Sequence, residues 1–282
     1  MKKKLLNVMM LCLFGVIVCA CGSNTKGSST NIVASENDDV EYSDELVKLA
    51  EAGVPAAQNN LGRCYSEGVG VAQNKQEAFK WYKKAAEQGE VHAQFNLAGY
   101  YNEGIGVNVN YEEAAKWYRK AAEQGHSEAI YRLGYCYLNG KGVQKDVQLA
   151  AKYIGMAAEQ DVVYAQYNYA LMFNRGVGVE QNFEESVKWY KKAASKGYAP
   201  AECNLGVCYL QGIGVKQDYN EAKRLLEKSA EQGEAEAQYA LALVYYNGFG
   251  VSVDREEAIK WLRKAAQQGH DGAAQALNEI GE

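Results

Sequence analysis

The feature that most constrains this chain is a register of glycines. Gly53, Gly89, Gly125, Gly197, Gly233 and Gly269 fall on one spacing of 36 residues, and Asp161 fills the missing place. The pairs Gly68/Gly70, Gly104/Gly106, Gly140/Gly142, Gly176/Gly178, Gly212/Gly214 and Gly248/Gly250 keep the same register without exception. Trp81, Trp117, Trp189 and Trp261 share a column with Tyr153 and Leu225, and Tyr65, Tyr101, Tyr137, Tyr209 and Tyr245 share one with Phe173. A period of this length means a solenoid, in which each unit buries its apolar face on its neighbours.

Within one unit, Ala57, Leu61 and Tyr65 recur at spacing four, which predicts a helix A from about Pro55 to Ser66. After a glycine turn, Asn74 with Glu77 forms a capping-box pattern before Ala78, Trp81, Tyr82, Ala85 and Ala86, which predicts a helix B. Asn110/Glu113, Asn182/Glu185, Asp218/Glu221 and Asp254/Glu257 repeat the cap. Gly89 and its equivalents close helix B where a positive φ is favoured. Tyr42 to Ala52 aligns with a helix B and Asp271 to Ile280 with a helix A, so fourteen helices are expected. One unit alone buries about five side chains worth roughly 1.5–3 kcal/mol each. Ordering its backbone costs about 1–2 kcal/mol per residue, so stacking is obligatory.

The pattern Ala57, Leu61 Gly62, Tyr65, Gly68, Gly70, Ala78, Trp81 Tyr82, Ala85 Ala86 resembles the Sel1-like repeat, a relative of the tetratricopeptide repeat with a longer turn. The resemblance implies an all-α, right-handed helical-repeat solenoid of six 36-residue units with capping half-repeats. It also implies A helices lining a concave surface and a role in contacts with a protein or an extended peptide. Some cysteine-rich relatives pair cysteines within each repeat and have been described as β-lactamases or penicillin binders. That gives the competing reading, a protein that binds or hydrolyses cell-wall peptides or β-lactams.

The chain lacks the features such chemistry needs. Its S-x-x-K, Ser23 to Lys26, precedes the repeats, and no Lys-Thr-Gly or Ser-Asp-Asn occurs. The G-x-G turns follow a helix and lack a third glycine, which argues against phosphate-binding loops. His92, His126 and His270 show no metal-ligand spacing and read as surface residues. Cys64, Cys136 and Cys208 share an apolar column two repeats apart, too far for a disulfide, and Cys203 points elsewhere on the helix of Cys208. No catalytic residue, metal site or cofactor is expected.

At the N-terminus, Lys2 Lys3 Lys4 and the apolar run Leu5 to Val18 read as a signal peptide over residues 1–20. Val18 Cys19 Ala20 Cys21 resembles a bacterial lipobox, which would make Cys21 the lipid attachment site and place the chain in the cell envelope. Gly22 stands where that family's inner-membrane retention signal usually has Asp, which favours an outer membrane. Residues 21–40 read as a flexible tether and residues 41–282 as the solenoid. Removing residues 1–20 takes three lysines from the 30 basic residues and none of the 35 acidic ones, a charge of −8 that argues against nucleic acid. Membrane attachment is expected through the lipid only, and the body as a monomer.

Two columns of helix A stand beside its packing face. One reads Asn60, Asn96, Arg132, Asn168, Asn204, Ala240, and the other Asn59, Phe95, Tyr131, Tyr167, Cys203, Tyr239. The amides can pair with the backbone of an extended peptide, and Phe95, Tyr131, Tyr135, Tyr167 and Tyr239 can supply apolar contact. Satisfying a neighbouring turn is the competing role for the asparagines, and core packing is that for the aromatics. Arg132 can clamp a carboxylate through its planar fork. Tyr153 Ile154, Gly155, Asp161 and Tyr169 depart together from the repeat, so stability is expected to dip there and binding to centre nearby.

Overall fold

The structure, a computed structural model, describes residues 41–281, so the expected signal peptide, Cys21 and the tether lie outside the described residues. Fourteen helices occur among the described residues, with no strand. They are α1 Asp44–Glu51, α2 Pro55–Glu67, α3 Lys75–Glu87, α4 Val91–Glu103, α5 Tyr111–Glu123, α6 Ser127–Asn139 and α7 Val147–Glu159. There follow α8 Val163–Arg175, α9 Phe183–Ser195, α10 Ala199–Gln211, α11 Tyr219–Glu231, α12 Ala235–Asn247, α13 Arg255–Gln267 and α14 Asp271–Ile280. The chain divides into two compact units, one ending at Ala165 and the other beginning at Gln166.

In the first unit each helix packs on the next in sequence, from α1 to α7. In the second, the same holds from α9 to α14. Alanines and glycines set the spacing. Ala85, Ala93, Ala121 and Ala129 are fully buried in the first unit, as are Ala193, Ala237, Ala265 and Ala273 in the second. A Cβ on Gly62 would stand 2.8 Å from two ring carbons of Tyr82, so α2 approaches α3 only because that atom is missing.

The caps explain why each helix begins where it does. Asn74 accepts a hydrogen bond from Glu77 N at 3.1 Å, and Asn110, Asn182, Asp218 and Asp254 do the same for the residue three positions on. The reciprocal half of the capping box is not formed. The Asn74 N–H instead donates to Tyr65 O at 2.8 Å, and Asn110, Asp146, Asn182, Asp218 and Asp254 donate to Tyr101, Tyr137, Phe173, Tyr209 and Tyr245. Each turn is thereby tied to the helix A that precedes it, and Glu77 is left to pair with Lys80 at 2.6 Å.

Asp161 adopts φ 67°, the one non-glycine residue with positive φ among the described residues. It takes over the helix-closing role of the glycines in its column, at the conformational cost that an L side chain meets there. Gly155 is buried within α7, which runs unbroken from Val147 to Glu159.

Candidate functional site

In the first unit the A helices bury most of their surface and leave one stripe accessible. On α6 that stripe runs through Glu128, Arg132, Tyr135 and Asn139, at the four-three-four spacing of one helix face. Glu128 and Arg132 are half-buried, and Tyr135 is 41% exposed, one of the few large apolar side chains this open. The Tyr131 ring lies edge-on to Tyr164 with centroids 4.6 Å apart, and 6.5 Å from Tyr135. Tyr131, Arg132, Tyr135 and Tyr164 thus form one aromatic and cationic cluster.

Among the described residues, Arg132 makes no hydrogen bond or ion pair, so its fork is available. Its charge does act on its neighbours. Burial and Glu128 push the Tyr164 phenol up to about 12 while Arg132 pulls it back, and burial raises Tyr118 against the same opposing charge. The phenols therefore stay protonated at neutral pH and can donate hydrogen bonds beside a guanidinium that binds a carboxylate bidentately.

In the second unit, Asn204 lines a shallow cleft with Asn174, Tyr190, Val207, Cys208 and Gln211. Its Nδ2 lies 3.3 Å from Tyr190 Oη and 3.4 Å from Tyr167 Oη, so this amide is partly engaged within the fold. Burial alone pushes Cys208 up to about 12. Like Cys64, Cys136 and Cys203 it is buried and outside any disulfide, and such thiols are poor nucleophiles.

The other residues singled out by sequence are distributed differently. Asn96 is 5% exposed and donates to Asn59 Oδ1 at 3.1 Å, an amide pair joining adjacent A helices. Asn60 and Asn168 are half-buried. Phe95, Tyr167 and Tyr239 are all 6% exposed or less. Phe95 stacks on His126, Tyr239 on His270, and Tyr167 packs against Tyr190 and Tyr198. His126, expected at the surface, is buried in that stack. Tyr164 and Glu128 were not singled out, although Tyr164 stands four residues before Asn168 on the accessible face.

The first glycine turn uses its N–H groups to close a helix. The Gly68 and Val69 N–H groups both donate to Cys64 O and so finish α2. No group of three or more His, Cys, Asp or Glu among the described residues could hold a metal ion. No helix among them is long and apolar enough to cross a membrane.

Sequence reasoning also missed a relay of glutamines. Gln94 Nε2 donates to Ala86 O at 3.3 Å, and its Oε1 accepts from Gln124 Nε2 at 2.8 Å. Gln58 and Gln88 repeat the arrangement at Ala50 O, and Gln238 and Gln268 repeat it at Ala230 O. The relay closes the C-terminal end of one helix B from the following repeat.

The family model of the Sel1 repeat matches six successive segments, residues 55–90, 91–126, 127–162, 163–198, 199–234 and 235–270. Among solved structures, the chain is similar to a protective antigen present in uropathogenic Escherichia coli strains and displaying an SLR fold. The identity is 39% and the TM-score 0.78, over 85% of this chain and 52% of that one. The chain therefore spans about half the length of that antigen. It is also similar to a Sel1 repeat protein from Oxalobacter formigenes, at 35% identity and a TM-score of 0.68, over 78% of this chain and 95% of that one. No functionally curated protein matches.

Proposed function

The chain belongs to the Sel1 repeat family, whose members mediate protein interactions, and from that premise we propose that it is an envelope-anchored scaffold binding a protein or extended peptide on its A-helix face. The observation that carries the proposal is the cluster of Tyr131, Arg132, Tyr135 and Tyr164. It combines accessible aromatic surface with a half-buried guanidinium that forms no ion pair among the described residues. Aromatic and arginine side chains dominate the energetics of protein contacts, and an arginine in a partly dry site gains most from a bidentate carboxylate. The partner so recognised is an extended segment with an acidic side chain or a free C-terminus. Replacing both Arg132 and Tyr135 by Ala is expected to weaken capture of envelope proteins at least about tenfold, the effect of losing one anchor worth roughly 1.4 kcal/mol, without changing thermal stability by more than a degree or two. Undiminished capture would overturn the assignment of the face.

The competing hydrolase reading finds little support, since the cysteines among the described residues are buried and the Ser23–Lys26 motif precedes the repeats. Turnover of a chromogenic β-lactam or a cell-wall peptide, abolished by one point substitution, would establish it instead.

Anchorage rests on the lipobox-like run ending at Cys21. Cys21→Ser is expected to move the protein from the membrane pellet to the soluble fraction on carbonate extraction, because acyl chains supply the stable attachment. Retention of the variant in the pellet would refute lipid anchoring.

A further inference from the structure

His126 is the N-cap of α6, and its Nδ1 accepts a hydrogen bond from Ala129 N at 3.2 Å. An accepting Nδ1 carries no proton, so the neutral ring holds its hydrogen on Nε2. The ring stacks on Phe95 of α4 with centroids 4.6 Å apart, and the His92 ring of the same helix meets it edge-on at 5.5 Å. On its own helix, Glu128 places Oε2 3.8 Å from the same Nδ1, where it also accepts from Ser127 Oγ. Tyr118 of α5 packs behind Phe95. One nitrogen therefore faces two groups with opposite requirements: an N–H that needs an acceptor and a carboxylate that needs a donor.

We propose that His126 is an acid-sensitive cap: a proton taken from solvent onto Nδ1 breaks the bond to Ala129, turns the nitrogen toward Glu128 and loosens the first turn of α6. The same helix carries Tyr131, Arg132 and Tyr135, so loosening it acts on the accessible face. The inference itself rests on the cap geometry and stands whether or not that face binds a peptide.

Two effects set the direction. A positive charge at a helix N-terminus opposes the macrodipole. Burial holds the ring below the usual histidine range, His92 adds to that shift, and Glu128 opposes it. Because the folded ring is the weaker base, the unfolded chain binds more protons between the two values. Stability is therefore complete above about pH 6.5 and is lost as the pH falls through the window down to the folded value. Two other caps of helix A supply contrasts. Glu90 caps α4 through a carboxylate that accepts from His92 N and Ala93 N. In the second unit, His270 Nδ1 accepts from Ala273 N at 3.0 Å, but its carboxylate, Glu236, sits at Nε2, 3.0 Å away, so no competition arises at the capping nitrogen.

Amide exchange of the mature chain, corrected for intrinsic rates, tests the proposal at pH 7.5 and pH 5. Protection at Ala129 is expected to fall severalfold in the native sequence, because the opened first turn takes up the proton more readily than the capped ring. It is expected to stay constant in His126→Asn, whose side chain caps without titrating. Ala93, capped by Glu90, is expected to hold in both. Constant protection at Ala129 in the native sequence, or an equal fall in His126→Asn, overturns the proposal. Imidazole 15N shifts give a test that needs no variant: at pH 7.5 the His126 proton is expected on Nε2, and finding it on Nδ1 overturns the cap assignment.

Discussion

Gly142→Ala is expected to destabilise the first unit by about 2–5 kcal/mol, more than the same change at Gly125. Both glycines have positive φ, 68° at Gly142 and 86° at Gly125, and that strain alone costs an alanine about 1–2 kcal/mol. Their surroundings separate them. A Cβ on Gly125 would meet nothing within 4 Å, whereas one on Gly142 would overlap the carbonyl group of Tyr111 and stand 2.7 Å from Glu112 N. These are backbone atoms in the first turn of α5, which cannot rotate away, so overpacking adds about 1–3 kcal/mol or more. The second glycine of other turns is held in the same way. In the first unit a Cβ on Gly106 would stand 2.7 Å from Lys75 O, and in the second one on Gly214 would overlap the carbonyl of Phe183. The G-x-G turn is thus a seam between repeats: its first glycine ends a helix A, and its second abuts the start of the preceding helix B. Urea denaturation of the two variants checks this, and equal losses would show that φ strain alone explains the glycines.

Gln94→Leu is expected to cost about 2 kcal/mol, since it removes a donor to Ala86 O and an acceptor for Gln124 within a buried site. Leucine matches the volume and is itself a good helix former, so packing and propensity change little. Gln124 keeps its bond to Gly89 O at 3.0 Å, which limits the loss. Ile130 occupies the same column one repeat later and is 1% exposed, so an apolar residue fits there sterically. A thermal shift of under one degree in Gln94→Leu would mean that the relay contributes nothing measurable.

The contrast between the glycines and the glutamines shows what a single sequence reveals. Helix caps and closing glycines act within four or five residues, so Asn74, Gly89 and even Asp161 could be read from local chemistry. The close approach of Gly142 to Tyr111 spans 31 positions, and positive φ had already explained the glycine. Gln94 likewise meets Gln124 at a separation of 30, and glutamine on a helix ordinarily reads as surface. Phe95, Tyr167 and Tyr239 stand beside the packing face by helical spacing, but spacing does not reveal what covers them. Tyr118 and His126 cover Phe95, and His270 covers Tyr239. Tyr131 lies in the same column and remains half-buried, facing Tyr164.

If the A-helix face is the binding surface, a photo-crosslinking residue at Tyr135 should give discrete adducts with envelope proteins in intact cells. The same residue at Lys116, exposed on α5, should give none. Adducts from position 116 with none from position 135 would contradict it.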